Sequence, residues 1–147
     1  MADILHLLKV KAPADRVYRA LVEKEGLSGW WMPGVVAEPR VGSIVEIQFA
    51  GGAVVKLKID RLEPGKNVTW SAAEGVPDWD NTLITWDLTP VDGGTDVLFS
   101  HRRFVSTDGM YARFNISWAW HIISLKDYVE TGKGDPGPAP WFRPQKG

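Results

Sequence analysis

The sequence predicts an α+β fold in which a curved antiparallel sheet of about six strands grips one long C-terminal helix. Segments in the middle of the chain alternate apolar and polar residues, the pattern of strands that bury one face. Turns rich in glycine and proline separate these segments. Near the C-terminus, apolar side chains recur at spacings of four and three residues, as on one face of a helix. Laying this helix across the apolar face of the sheet buries both.

The N-terminal part of the chain predicts a strand followed by one or two short helices. Apolar and polar residues alternate over residues 3–11 well enough to predict a strand. Pro13 ends this strand, because proline donates no ladder hydrogen bond and presets φ for a helix start. Residues 14–24 place their apolar side chains on one face and predict a helix. We expect Gly26 to end that helix and residues 27–34 to form a short turn.

Five more strands are predicted over residues 44–49, 53–61, 67–72, 82–89 and 95–104, with a loop over 73–80. The side chains expected to face the interior are Val45, Ile47, Phe49, Val55, Leu57, Ile59, Val68, Trp70, Ile84, Trp86, Leu88, Val97, Phe99 and His101. Turns are expected at Gly51-Gly52, Pro64-Gly65 and Asp92-Gly93-Gly94. Glycine tolerates a positive φ at such positions, and proline presets the turn.

Residues 110–131 predict the long helix. Its apolar stripe consists of Phe114, Trp118, His121, Leu125 and Tyr128. Gly132 is expected to end it. Residues 136–147 are rich in proline and glycine and predict an extended tail, with docking of Trp141 and Phe142 on the domain as one alternative. The chain is therefore expected to form a single domain over residues 1–135 followed by this tail.

Composition and charge exclude several classes of function. The 147 residues include 17 Lys+Arg and 18 Asp+Glu, so the chain lacks the basic surface that nucleic acids and anionic membranes attract. No apolar run is long enough for a membrane span, and the start has no signal-peptide core. The absence of cysteine excludes disulfides and thiolate metal sites, and the three histidines lack a paired-ligand spacing. We expect no metal, no cofactor and a cytoplasmic location.

Four stretches carry a resemblance to a known family. They read APADRVYRAL at 12–21, WW at 30–31, LTPVDGGT at 88–95 and SLKDYVETG at 124–132. In this order and spacing the chain resembles the helix-grip (SRPBCC) superfamily of START and birch-pollen-allergen-like domains. Within it, the chain is similar to the bacterial branch related to the C-terminal domain of the activator of heat shock protein 90 ATPase. The resemblance implies a cavity between the sheet and the long helix, and it carries over no motif of catalytic residues.

Eight tryptophans are many for a chain of this size. Large aromatic side chains either fill a bulky core or line an apolar pocket. An open pocket lined in this way favours a flat apolar or aromatic ligand. The ligand-binding residues that we predict are Trp30, Trp31, Trp70, Trp86, Phe99, His101, Arg103, Phe114, Trp118 and His121.

Three of these predicted residues are polar. His101 and His121 each either contact a ligand, as a hydrogen-bonding or acid–base group, or are core histidines paired with a backbone carbonyl or a tyrosine. Arg103 shares the strand parity of His101, so it is the arginine expected at the mouth of the cavity, where it would anchor an acidic group. The alternative for Arg103 is a solvated sheet edge.

The favoured function is the binding or carriage of a small hydrophobic or aromatic molecule. One alternative is a cyclase- or dehydratase-like enzyme acting on a polyketide-type substrate through His101, His121 and Tyr128. The other is a co-chaperone-like interaction domain, with a chaperone as its partner. We do not favour the latter, because the predicted single domain lacks the extra N-terminal domain of the eukaryotic activators. An exposed edge strand or the tail could support a homodimer, which the sequence does not require.

Overall fold

The computed structural model describes residues 1–49 and 52–142 and confirms the predicted α+β architecture. In chain order the elements are β1 (Ala2–Val10), α1 (Ala14–Val22), α2 (Lys24–Trp30), β2 (Ile44–Gln48), β3 (Val54–Glu63), β4 (Asn67–Glu74), β5 (Leu83–Val91), β6 (Gly94–Phe104) and α3 (Tyr111–Thr131). Short 3-10 turns cover Pro77–Trp79 and Pro140–Phe142. Gly51 of the predicted two-glycine turn and residues 143–147 of the predicted tail lie outside the described residues.

The strands form one curved sheet in the order β1-β6-β5-β4-β3-β2, with every neighbouring pair antiparallel. All of the side chains predicted to face inward are buried except Phe49, which is half-buried and follows directly after β2. Trp86 faces Phe99 across the β5–β6 pairing, and Ile84 faces His101. The inward side chains therefore form one continuous face of the sheet, and β1 and β2 form its two edges.

The long helix α3 buries the predicted stripe against the sheet and the shorter helices. Trp118 and Leu125 are buried, and Phe114 and Tyr128 are half-buried. Gly132 ends α3 as predicted. It adopts the left-handed conformation, with a φ of 85°, and its N–H donates to the Tyr128 carbonyl at 2.8 Å. Because α3 crosses the apolar face of the sheet, its inward side chains fill part of the space between the helix and the sheet.

The prediction that Gly26 ends the first helix is wrong. Helix α1 ends before Glu23, whose backbone is extended. The second helix, α2, begins at the next residue and runs through Gly26. A Cβ at Gly26 would lie 2.6 Å from the Cα of Ala20, so this glycine permits the close approach of α1 and α2. A side chain at Gly29 would likewise collide with the ring of Tyr128. Packing between helices, and not helix termination, explains both glycines.

Residues 132–142, here called the C-terminal segment, fold back over α2 and α3. The N–H of Asp135 donates to the Ser124 hydroxyl of α3 at 2.8 Å. The N–H of Gly137 donates to the carbonyl of Trp31 at 2.7 Å. These bonds satisfy backbone groups in the part of the segment that precedes its 3-10 turn and has no regular secondary structure. They hold the first part of the predicted tail against the domain.

Candidate functional site

The centre of the molecule is filled by an aromatic core, which consists of Trp30, Trp31, Trp70, Trp86 and Phe99. Each of these side chains is 1% exposed or less. The ring of Trp31 lies nearly parallel to those of Trp30 and Trp70, with centroid distances of 5.6 Å to each. The Trp30 indole N–H donates to the carbonyl of Ala20 at 2.8 Å. The rings of the aromatic core thus pack mainly against one another.

His101 lies beside the aromatic core with both ring nitrogens in hydrogen bonds. The Trp118 indole N–H donates to its Nδ1 at 3.1 Å, so Nδ1 carries no proton. Its Nε2 therefore carries the proton and donates to the Thr82 hydroxyl at 2.8 Å, and that hydroxyl donates to the Trp79 carbonyl at 2.5 Å. Burial lowers the pKa of His101 to about 3, so the ring is neutral at pH 7. His101 is thus a fully paired group of the protein interior.

An apolar cavity of about 360 Å³ lies between the first half of α3, the 3-10 turn before β5 and the C-terminal segment. We call it the aromatic cavity. It is lined by Trp31, Met32, Phe49, Trp79, Met110, Phe114, Ser117, Trp118, His121, Pro138 and Ala139. Its volume lies at the lower end of the range of small-molecule sites, about 300–1,000 Å³. None of these lining residues carries a formal charge at pH 7, so the aromatic cavity suits a neutral molecule.

His121 is a polar group in the wall of the aromatic cavity, and its side chain is 7% exposed. Its Nδ1 is buried, and within the described part of the chain no group forms a hydrogen bond with either ring nitrogen. The rings of Trp31 and Trp118 approach it edge-on, at centroid distances of 6.4 and 6.1 Å. Burial lowers the pKa of His121 to about 4, so the imidazole is neutral at pH 7.

The structure brings four of the predicted ligand-binding residues to the aromatic cavity, namely Trp31, Phe114, Trp118 and His121. Trp30, Trp70, Trp86 and Phe99 lie in the aromatic core, and His101 lies beside it. Arg103 is exposed near the end of β6, where its N–H donates to Asp3 Oδ1 at 3.0 Å. Its φ of 74° is left-handed, and this conformation interrupts the alternation that assigned Arg103 to the face of His101.

The other lining residues were not among the predicted ligand-binding residues, although Phe49 was predicted to face inward; they are Met32, Phe49, Trp79, Met110, Ser117, Pro138 and Ala139. Ser117 could have been found, because it precedes His121 by one helical turn and so shares its face of α3. Trp79 could also have been found, because a large apolar side chain in a segment predicted as a loop indicates a buried or ligand-binding position. Pro138 and Ala139 carry no local signal, because their position depends on where the C-terminal segment folds back.

Two further properties concern metals and membranes. Among residues 1–49 and 52–142, no cluster of three or more histidine, aspartate or glutamate side chains could hold a metal ion. Within the same residues, no helix is both long enough and apolar enough to cross a membrane.

A curved antiparallel sheet that grips a long C-terminal helix beside an apolar cavity defines a helix-grip protein. Comparison with protein families narrows this class. The chain belongs to the family described as Activator of Hsp90 ATPase homolog 1-like protein, which matches residues 11–130. None of the curated proteins compared with the chain matches it.

Several solved structures are similar to this chain. The solution structure of the Aha1 dimer from Colwellia psychrerythraea is 36% identical to this chain, covers 91% of it and 100% of its own length, and has a TM-score of 0.84. A protein from Staphylococcus saprophyticus is 20% identical, covering 93% of this chain and 98% of its own, with a TM-score of 0.77. CalU16 from Micromonospora echinospora is also 20% identical, covering 95% of this chain and 78% of its own, with a TM-score of 0.74. The last two likenesses concern the fold alone.

Proposed function

We propose that the protein binds and carries a small, flat, neutral aromatic molecule in the aromatic cavity. The observation that carries this proposal is a space of about 360 Å³ walled by Trp31, Trp79, Phe114 and Trp118, directly beside a core in which the other large rings are packed solidly. Trp31, Trp79 and Trp118 are themselves buried, yet they border this space, whereas Trp70 and Trp86 do not. The proposal narrows the predicted set of ligand-binding residues to those that line this space.

The physical driving force is the burial of apolar ligand surface. It contributes about 25 cal/mol for each Å² removed from water, before the ordering of the ligand is subtracted. Stacked or edge-on contacts with Trp31, Trp79 and Trp118 add to this term and favour flat rings. These tryptophans already contact each other, with centroid distances of 5.2 Å for Trp31–Trp118 and 6.1 Å for Trp79–Trp118. The site is therefore formed before the ligand arrives, which lowers the ordering penalty.

Filling the aromatic cavity with a side chain tests the proposal. We expect the wild-type protein to bind the apolar probe N-phenyl-1-naphthylamine saturably, with an increase in probe fluorescence. Ser117→Phe places a ring in the cavity and should weaken binding at least about tenfold, which corresponds to about 1.4 kcal/mol. Ile116→Phe is the matched control, because Ile116 is the neighbouring residue and is 54% exposed. Absence of saturable wild-type binding, or equal binding by Ser117→Phe and wild type, would contradict the proposal.

We further propose that two copies of the chain associate along β1. This strand is an edge of the sheet and has no partner strand on its outer side among the described residues. Leu5 and Leu7, on the face of β1 opposite Ile4, are 48% and 66% exposed. Exposed edge strands with apolar side chains readily pair with another strand. The relative from Colwellia psychrerythraea, described as a dimer, supports a second copy as the partner.

The dimer proposal is tested by molar mass in solution. We expect size-exclusion chromatography with light scattering to give twice the chain mass of 16.3 kDa for wild type. Leu7→Lys should shift the mass to that of one chain, because a charge directly on the paired edge opposes association. Val105→Lys is the control, since Val105 is 88% exposed and lies beyond the end of β6. A monomeric wild type, or a Leu7→Lys protein that remains dimeric, would overturn this proposal.

A further inference from the structure

The two buried histidines of the interior differ in one decisive respect. His101 has a hydrogen-bond partner at each ring nitrogen, whereas His121 has none within the described residues. A buried polar atom without a partner costs about 1–3 kcal/mol, so native proteins rarely keep one without a reason. Only the unpaired histidine lines the aromatic cavity. Because His121 lines the aromatic cavity, we expect a ligand bound there to supply the missing partner.

We propose that the aromatic cavity selects aromatic ligands that carry a hydroxyl group, and that His121 binds this hydroxyl. This inference rests on the proposed ligand-binding function and names its ligand class. A neutral imidazole offers one acceptor nitrogen and one N–H donor, and a hydroxyl can pair with either. The assignment therefore holds for both tautomers of His121.

A second unpaired polar atom in the wall favours the same class of ligand. The indole Nε1 of Trp79 is buried without a hydrogen-bond partner within the described residues, as are those of Trp86 and Trp120, and of these three rings only Trp79 lines the aromatic cavity. An oxygen substituent on a flat ring can accept from such an indole N–H as well as donate to a histidine nitrogen. A purely hydrocarbon ligand would leave both groups buried and unpaired.

Charged ligands fit this wall poorly. No lysine, arginine, aspartate or glutamate is among the lining residues, so neither a carboxylate nor an ammonium group would find an opposite charge there. Burial also opposes the protonated form of His121, which removes the cation that a carboxylate would require. The remaining competitor for the histidine nitrogen is a bound water molecule, which the experiment must distinguish from a ligand hydroxyl.

The test compares two probes of similar shape, 2-naphthol and 2-methylnaphthalene, by titration at pH 7. The methyl compound leaves water more readily, so apolar burial alone predicts that it binds more tightly. We expect the opposite order in wild type, with 2-naphthol at least about fivefold tighter because of one hydrogen bond in an apolar site. His121→Phe should reverse the order while retaining affinity for 2-methylnaphthalene. Ser117→Ala, which removes the one side-chain hydroxyl among the lining residues, tests whether Ser117 and not His121 sets this order.

Each outcome separates this inference from the proposed function. If neither probe binds saturably, the proposed function fails. If both bind and 2-methylnaphthalene is tighter in wild type, the protein binds aromatic molecules but the hydroxyl inference is overturned, with water as the partner of His121. If Ser117→Ala and not His121→Phe loses the preference, the hydroxyl belongs to Ser117. As a check that needs no variant, the ring ¹⁵N resonances of His121 should shift with 2-naphthol and not with 2-methylnaphthalene.

Discussion

Lowering the pH from 7 to 5 is expected to reduce the free energy of unfolding by about 4 kcal/mol. Burial lowers the pKa values of His101 and His121 to about 3 and about 4, from an ordinary value of 6.5. Between pH 6.5 and these values, the unfolded chain binds two protons that the folded protein does not. Stability from this source is complete above pH 6.5 and is lost as the pH falls towards the folded-state pKa values. The expected loss is large beside a typical total of about 5–15 kcal/mol.

Urea unfolding followed by circular dichroism at pH 7, 6 and 5, at one protein concentration, measures this effect. His121→Phe should halve the loss, because it removes one titrating ring that has no hydrogen bonds to other described residues. Glu130 does not interfere in this window. The backbone N–H of Lys11 and the side chain of Lys126 hold the pKa of its carboxyl below the ordinary value of 4.5. A free energy of unfolding that stays constant from pH 7 to pH 5 would refute the neutral state of both buried rings.

Replacing Trp118 with alanine is expected to reduce the free energy of unfolding by about 5 kcal/mol. Its ring contacts both the aromatic core and the wall of the aromatic cavity, with centroid distances of 4.5 Å to Phe99 and 5.2 Å to Trp31. Truncation leaves a large void and removes these contacts. It also leaves Nδ1 of His101 without its donor in a buried site. Such a loss approaches the whole stability of a typical domain.

Two further variants divide this loss into its parts. Trp118→Phe keeps an aromatic ring but removes the indole N–H, so it should lower the free energy of unfolding by only about 2 kcal/mol. Trp141→Ala is the control for losing an indole, because Trp141 is 50% exposed, and it should change stability by less than about 1 kcal/mol. All three are measured by urea unfolding at pH 7. Equal effects of Trp118→Ala and Trp141→Ala would show that Trp118 is not central to the packing.

Much of the architecture could be predicted because strand alternation and helical spacing are local patterns. The alternation in β3 and β5 identified Leu57 and Trp86 as inward residues, and the stripe of α3 identified Trp118. The second short helix was not located for a physical reason. Glycine is a common helix terminator, so Gly26 predicted an end, whereas its real role is to admit the neighbouring backbone of Ala20. Such a contact between helices leaves no periodic signal.

The candidate site was harder to predict than the fold. The sequence identifies which rings face inward, and so it treats Trp70 and Trp118 as equivalent candidates for a pocket. Only the way in which α3 crosses the sheet determines that Trp70 is packed on all sides while Trp118 also borders an open space. The same holds for Pro138, which reaches the wall because the C-terminal segment folds back across α2. Positions of this kind depend on the three-dimensional path of the chain.

The close contacts among the tryptophans have a consequence for the optical behaviour of the protein. Six indoles, those of Trp30, Trp31, Trp70, Trp79, Trp86 and Trp118, form a continuous chain in which each ring lies within 6.1 Å of a neighbour. At such separations we expect an excited indole to transfer its energy to a neighbouring indole. A molecule that contacts Trp31, Trp79 or Trp118 is therefore expected to quench fluorescence excited at any of the six rings.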